Sequence, residues 1–329
     1  SSVGVGVEEY AAVGKGLKDY FSYNILMDPK ETGEVMPGYV DKHVKVVYAD
    51  SPVSAMKAVK TDAEIKGFKA AMLRDGVAMV KFLCWLQPAV EAGGQTEMSV
   101  DRKLTELRAE QKRFRDISFD TIAGYGPHGA IVHYEASPET DVELRPEGFL
   151  LLDSGAQYQD GTTDITRTIP LGPLTDEQCR IYTLVLKGHI RLAMAKFPDG
   201  ACGTQLDALA REPMWREGLN YLHGTGHGVG SYLNVHEGPH QIRMEYMPAP
   251  LRAGMTVTDE PGLYLQGKFG VRIENTMLVT HYTKGEFGDF LQLAPLTLCP
   301  ISTTPIVLSM MTQEELDWLN DYHRMVYDR

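Results

Sequence analysis

The chain has 329 residues, 43% of them hydrophobic, enough for one large domain or two ordinary ones with substantial cores and too apolar for a disordered chain. A net charge of -12 and a pI near 5.3 argue against nucleic acid and anionic membrane as partners, because both want a basic face. Cys84, Cys179, Cys202 and Cys299 are widely spaced, form no CxxC pair and suggest no disulfide framework, so a reducing, cytoplasmic setting is expected; no run of 18 or more apolar residues marks a membrane span, and SSVGVGVEEY lacks the basic start and apolar core of a signal peptide.

Residues 1 to about 60 are mixed. A helix is expected over Tyr10 to Tyr20, short strands at Tyr23 to Met27 and Lys45 to Tyr48, and a Pro- and Gly-containing loop from Asp28 to Gly38. This is too little for an independent core, and it reads as the end of a preceding domain plus a connector, with a second domain over 61–329. Thr61-Asp62-Ala63-Glu64 is a capping box that opens a long amphipathic helix, with Ile65, Phe68, Met72, Val77, Val80 and Leu83 on its apolar stripe and Pro88 as its stop. A second helix is expected from Ser99 to about Arg113. GYGPHGAIVHYEA then predicts glycine turns before a short strand ending at His133.

FLLLDSGAQYQDGTTDITRTIP, residues 149–170, predicts a hairpin: a buried strand from Phe149, a turn at Tyr158 to Gly161, and a Thr- and Ile-rich return to Ile169. Helices follow from the Thr175-Asp176-Glu177-Gln178 capping box to about Lys196 and from Thr204 to Arg216. Strands and glycine loops return between 223 and 279, and Thr312-Gln313-Glu314-Glu315 opens a helix that runs to the end. The two helix pairs, each preceding a block of strands, suggest a duplicated α-α-β unit. The expected class is α+β, with an antiparallel sheet covered by helices. The chain stops at Arg329 inside a helical pattern with no cap, which reads as an excised segment of something longer.

Asp153 and Asp164 fall on the two arms of the hairpin, where facing carboxylates repel unless positive charge sits between them. A metal site is one reading; the other makes Asp160 and Asp164 solvated tip residues and leaves Asp153 at a strand end. HGTGHGVGSYLNVHEGPH, residues 223–240, gathers four of the ten histidines, His223, His227, His236 and His240, among glycines that let backbone approach closely. TVTDEPG sets Asp259 and Glu260 at a strand end. GVRIENTMLV puts Glu274 in the middle of a β-branched strand, where it needs either a cation or a plain ion pair with Arg272. Tyr264, in the turn between Glu260 and Glu274, reads as a packed aromatic. The set Asp153, Asp164, His227, Glu260 and Glu274 carries about four negative charges, which two divalent ions balance. Oxygen-rich ligation with one imidazole and no thiolate favours manganese (Mn2+) over zinc. Two such ions can hold a bridging hydroxide and polarise a carbonyl, so the implied chemistry is hydrolysis.

LLDSGAQYQDGTTDITRT, HGTGHGVGSYLNVHEGP, TDEPG and VRIEN together resemble aminopeptidase P, the Xaa-Pro aminopeptidases of the pita-bread peptidase family, and the resemblance extends from about Ser51 to Tyr327 through SPVSAMKAVKTDAEI, GAIVHYEA, PLTLCPI and DWLNDYH. It looks closest to the larger, three-domain cytosolic branch. The resemblance implies a pita-bread α/β domain in which Asp153, Asp164, His227, Glu260 and Glu274 bind two ions, typically manganese, with zinc or cobalt (Co2+) as alternatives and Asp164 and Glu274 shared between them. It further implies substrate and proton-transfer roles for His133, His223 and His236, a carboxylate-orienting role for Arg272, Glu260 as proton acceptor and donor, and a homodimer in the full-length protein. The implied reaction releases the first residue from peptides with Pro at position two. Prolidase, which cleaves Xaa-Pro dipeptides, is the nearest alternative; methionine aminopeptidase and a non-catalytic pita-bread binding module are more distant ones.

Overall fold

The computed structural model describes residues 6–329; Ser1 to Val5, the start of the expected N-terminal connector, lie outside the described residues. The chain divides into two compact units, one ending at Met56 and the other spanning Lys57–Arg329. In the first, a 3-10 turn leads into α1 (Val13–Lys18), and β1 (Ile25–Met27) pairs in parallel with β2 (Val46–Tyr48), close to where the residues predict them. Among its described residues only Met27 and Asp28 are buried. α2 (Pro52–Ala58) spans the boundary in sequence.

In the second unit, α3 (Asp62–Ala92) and α4 (Glu97–Ala109) precede β3 (Phe114–Ile117), β4 (Ile122–Tyr125), β5 (Phe149–Ser154), β6 (Ala156–Tyr158), β7 (Gly161–Thr162) and β8 (Ile165–Pro170). Then α5 (Asp176–Ala193), β9 (Lys196–Pro198) and α6 (Gly203–Trp215) precede β10 (Gly226–His227), β11 (Gln241–Ile242), β12 (Thr256–Asp259), β13 (Gly262–Leu265), β14 (Phe269–Arg272), β15 (Asn275–Gly285) and β16 (Gly288–Pro295), and α7 (Gln313–Tyr327) follows. Antiparallel sheets run β12-β15-β16-β9, β4-β5-β8 and β3-β6-β7, with ribbons β10-β11 and β13-β14. This is the expected α+β class, with a helix pair ahead of each block of strands.

Thr61, Thr175 and Thr312 each accept from the backbone N–H three residues on, while the side chain at that position returns to the cap N–H. Each closes two donors that a helix start leaves open. The expected stop at Pro88 is not one. α3 carries Pro88 inside its last turn and ends at Gly93, whose φ of 82° suits glycine. Proline forfeits one hydrogen bond there, but Leu86 and Val90, each 1% exposed, keep the turn packed on the core. The stripe also rotates: Val77 and Val80 face outward, and the buried line runs Phe68, Met72, Asp75, Met79, Phe82. Asp75 is what hides the true face from a hydrophobicity reading. Its carboxylate accepts from Arg108 Nε and Nη2 on α4 at 2.9 and 3.1 Å and from the Tyr158 hydroxyl at 3.1 Å.

α4 ends at Ala109, short of the expected Arg113, because Arg113 adopts φ 67° and turns the chain into β3. α5 stops at Ala193, and Lys196–Pro198, expected inside or just after that helix, pairs with β16 as an edge strand. No strand ends at His133: residues 126–130 form a 3-10 turn packed against β14, so closely that a Cβ on Gly270 would lie 1.8 Å from the Gly129 carbonyl oxygen. Three hydrophobic groupings hold the unit together. Met79, Phe82 and Leu104 pack on Leu150 and Leu152; Val185, Val271, Ile273 and Leu319 join α5, β14 and α7; Phe197, Val257, Met277 and Leu293 line the four-stranded sheet. Each such side chain contributes about 1.5–3 kcal/mol on burial. The ends of β5, β8, β10, β12 and β14 meet around a single cavity of about 510 Å3.

Candidate metal centre

Asp153, Asp164, His227, Glu260 and Glu274 all line that cavity, together with His133, His223, His236 and Arg272. The strands explain the convergence. Asp153 is the penultimate residue of β5 and lies opposite Thr166 of β8, while Asp164 sits just before β8, in a break between β7 and β8, rather than on a paired strand. It is 4% exposed, so it is no solvated hairpin tip; Asp160 is the residue at the turn, and its partners are Arg74 and Arg113. Glu274 likewise lies in a break, between β14 and β15, not mid-strand. The chain leaves the β13-β14 ribbon there and joins β12 in the next sheet, and the carboxylate at that corner turns inward. Its N–H donates to the Thr166 carbonyl at 3.1 Å, and the Thr166 hydroxyl donates to Oε2 at 2.7 Å.

His227 sits on β10, which reaches β12 only because Gly226 has no side chain: a Cβ there would be 1.9 Å from the Thr258 carbonyl oxygen. With Nδ1 held 2.9 Å from the Gly228 carbonyl oxygen, Nε2 faces the carboxylates, 3.3 Å from Asp164 Oδ2 and 3.4 Å from Glu260 Oε1. One ligand atom each from Asp164, His227 and Glu274 lies within 4.8 Å of the other two. Arg272 does not pair with Glu274. Its Nη2 donates to Asp153 Oδ2 at 2.7 Å and its Nη1 to the Tyr264 hydroxyl at 2.7 Å.

The electrostatics ask for a cation. Asp153 Oδ1 and Glu274 Oε1 are buried and accept no hydrogen bond, which costs several kcal/mol for an anion unless positive charge meets it. Burial, reinforced by neighbouring carboxylates, raises Glu260 to about 7 and Glu274 well above the usual carboxylate range; burial also raises Asp153, with Arg272 opposing. Burial works against a charged His227, yet the Asp164 hydrogen bond and the Glu260 charge carry it up to about 9. Four carboxylates and one imidazole, with orphaned oxygens and no thiolate, fit oxygen-preferring divalent ions.

Sequence reasoning missed three side chains. Tyr264 is on β13, not in a turn, and more than a packed aromatic: its hydroxyl accepts from Arg272 and lies 2.8 Å from His223 Nε2. His223 Nδ1 is 2.7 Å from the Gly224 carbonyl oxygen, and burial together with the Arg272 charge lowers its pKa to about 4, so the ring is neutral with both nitrogens engaged. Arg167, buried on β8, donates to the Glu274 carbonyl, Asn275 Oδ1, the Cys299 carbonyl and the Tyr322 hydroxyl at 2.6–3.0 Å. Tyr134, on the cavity wall, donates to the fully buried Glu97 at 2.8 Å. An arginine amid a strand of Thr and Ile was the one available signal, for Arg167.

His240, the fourth loop histidine, serves the frame. It is fully buried, its Nε2 is 2.8 Å from the Thr256 carbonyl oxygen, and burial lowers its pKa to about 4. The folded value lies below that of the unfolded chain, so as pH falls through 6.5 the unfolded chain takes the proton first and stability drops until about pH 4. Urea unfolding at pH 7 and pH 5 is expected to show the native chain losing roughly 2 kcal/mol more than His240→Gln over that interval; equal losses would rule this out.

The fold and the cluster place the chain in a metallopeptidase family. Residues 66–281 match metallopeptidase family M24 and residues 289–329 match the C-terminal region of peptidase_M24, and the chain belongs to this family, with its pita-bread fold. It is 46% identical over 308 residues to aminopeptidase P1 of Lotus japonicus, covering 86% of this chain and 47% of that protein. The solved X-prolyl aminopeptidase of Caenorhabditis elegans, described as a cytosolic enzyme with a di-nuclear active site, superposes with a TM-score of 0.91 at 37% identity, covering 99% of this chain and 55% of that one. The Xaa-Pro dipeptidase of Bacillus anthracis gives 0.74 at 27% identity, covering 88% and 77%. The chain spans about half the length of the curated relatives it matches. No helix among the described residues is long and apolar enough to cross a membrane.

Proposed function

We propose that this chain is the catalytic part of an Xaa-Pro aminopeptidase, hydrolysing the bond between the first residue and a proline at position two. The observation that carries the reading is the meeting of Asp153, Asp164, His227, Glu260 and Glu274 around one cavity, with buried carboxylate oxygens left unpaired. These five side chains would hold two divalent ions, manganese by donor chemistry. When bound, such ions supply Lewis-acid polarisation of the scissile carbonyl and activation of water.

The remaining work falls to the chain's own groups. Glu260 lines the cavity with Oε1 3.4 Å from His227 Nε2, which sets it to take a proton and return it beside the reacting bond. Arg272 holds Asp153 and Tyr264, and Tyr264 holds His223, so His223 is a spacer fixed in one tautomer. His236 makes no side-chain hydrogen bond among the described residues and faces the cavity, which favours it over His223 for meeting the carbonyl oxygen or the leaving nitrogen. The Xaa-Pro amide has no N–H and a ring of fixed shape; His133 with Phe119, Ile122 and Val132 forms a wall against which that ring can be selected. Glu260→Gln is expected to lower kcat by roughly 100-fold or more on a manganese-loaded sample; near-native turnover would sink the assignment.

The second reading, an Xaa-Pro dipeptidase, is favoured by the likeness to the Bacillus anthracis enzyme. Comparing an Xaa-Pro dipeptide with an Xaa-Pro-Yaa tripeptide separates the two. The tripeptide is expected to be the better substrate by at least roughly tenfold in kcat/KM, and the reverse order would assign a dipeptidase. A cytoplasmic setting is supported by the description of the Caenorhabditis elegans relative and by the spaced thiols. The assignment of residues 1–60 to the end of a preceding domain and 61–329 to the catalytic domain is supported by the compact unit that begins at Lys57. A homodimer of the longer protein rests on the family resemblance.

A further inference from the structure

The first residues of the second unit carry two lysines that the chemistry above does not use. The Lys60 side chain is 0% exposed, and its Nζ donates to Glu237 Oε1 at 2.9 Å; Nζ of the half-exposed Lys57 lies 2.9 Å from Oε2 of the same carboxylate. Both ends of this contact are fastened to the site. The Lys60 N–H donates to the Gly254 carbonyl at 2.9 Å, and Val59 bridges to Met255 at the head of β12. The Glu237 N–H donates to the carbonyl of Gly228, the residue after His227, at 2.8 Å, and the approach is so close that a Cβ on Gly228 would lie 2.0 Å from the Glu237 carbonyl oxygen.

The residue preceding Glu237 is His236. Its ring lies 4.1 Å, centroid to centroid, from that of His227, and it makes no side-chain hydrogen bond of its own among the described residues. An imidazole without an anchor depends on its backbone for its aim. A buried ion pair is a poor source of net stability, since apolar side chains of the same shape do as well or better, but it fixes one direction of approach where apolar contact does not. The contact joins residues 177 apart in sequence, which a loop needs if its tip is to be held to the frame.

We propose that the ion pair of Lys60 with Glu237, flanked by Lys57, is a positioning clamp that holds the His236 imidazole over the cavity. The inference rests on the role given to His236 above. The test uses the whole manganese-loaded chain, an Xaa-Pro-Yaa tripeptide and three variants: Glu237→Gln, the apolar double variant Lys60→Met with Glu237→Leu, and His236→Ala. The double variant is expected to keep the thermal midpoint of the native chain while kcat falls about 10- to 100-fold with KM within about threefold, the range typical of groups that orient a functional side chain. Glu237→Gln is expected to show the same kcat loss, and either change added to His236→Ala should cost nothing further. Recovery of kcat along with stability, or losses that multiply with His236→Ala, would overturn the clamp.

A second measurement needs no turnover. Long-range 15N–1H spectra of the imidazoles are expected to show the His236 signals shifted in Glu237→Gln and in the double variant, with those of His223 in place. An unchanged His236 signal would overturn the clamp even if no peptide is cleaved, whereas a shifted signal in a chain that cleaves no peptide retains the clamp and removes the functional reading instead.

Discussion

Asp164→Ala is expected to lower kcat/KM on an Xaa-Pro-Yaa peptide by roughly a thousandfold or more, beyond the 10- to 100-fold that outer-shell partners of a metal cost. Asp164 shares with His227 and Glu274 a cluster of ligand atoms within 4.8 Å of one another, with Oδ2 3.3 Å from His227 Nε2 and its charge pushing up the pKa of Glu274, Glu260 and Asp153 alike. That second effect makes the prediction two-sided. In chelator, where only Arg272 and His227 offset the four carboxylates, removing Asp164 relieves repulsion on the other three, so the metal-free variant should melt higher than the metal-free native chain. Adding manganese should then raise the native midpoint and leave that of the variant nearly unmoved. Metal analysis, a peptide assay and melts with and without chelator read all three quantities. Near-native activity with two ions still bound would remove Asp164 from the centre, and a lower melt in chelator would show that it is held by structure rather than strained by charge.

Asp75→Ala is expected to destabilise the chain by about 3–5 kcal/mol, the cost of leaving a buried guanidinium without its anion. Arg108 is 1% exposed and Asp75 4%, and the pair is bidentate, so removing the carboxylate strands a charge where water does not reach. It also frees the Tyr158 hydroxyl and loosens α3 from α4 behind β5, the strand that carries Asp153. Replacing both residues together, Asp75→Leu with Arg108→Met, should recover most of the loss because no charge then remains to be solvated. Urea unfolding of the single and double variants decides it. A single-variant loss below about 1 kcal/mol would mean that the interior admits water at this point.

The chemistry was more legible in the residues than the architecture that carries it. Capping boxes at Thr61, Thr175 and Thr312 announced three helix starts because local hydrogen bonds set them; the four carboxylates stood out because such groups among apolar and β-branched residues are costly without a partner, and His227 because its loop gathers histidines among glycines. What escaped was decided by distant parts of the chain. Pro88 does not end α3, because tertiary packing of Leu86 and Val90 outweighs one lost hydrogen bond. Asp75 disguised the buried face of that helix, since its partner lies 33 residues on. Glu274 looked mid-strand because the change of sheet at Ile273 leaves no mark in local composition. The same holds for Tyr264 and Arg272: spacing of two along a strand suggested an Arg272 pair with Glu274, whereas the fold hands Arg272 to Asp153, 119 residues away. His133 was placed on a strand that the glycine-lined contact with β14 replaces by a 3-10 turn.

Arg167 ties together pieces that are usually thought of as separate. Its guanidinium joins β8 to the carbonyl of Glu274, to the Cys299–Pro300 carbonyls and to Tyr322 on α7, all inside the protein. Local opening of a protein proceeds in cooperative blocks, and a helix packed by one face on the rest ordinarily opens at lower cost than a core strand. Here α7 is tied down: lifting it breaks the bond from Arg167 Nη2 to Tyr322 and takes the Tyr322 hydroxyl from the Thr297 and Cys299 carbonyls, beside the Nη1 that fixes the carbonyl of Glu274. The last helix and the deepest carboxylate of the centre therefore belong to one cooperative block, and any sequence change that softens α7 is felt first as imprecision in Glu274.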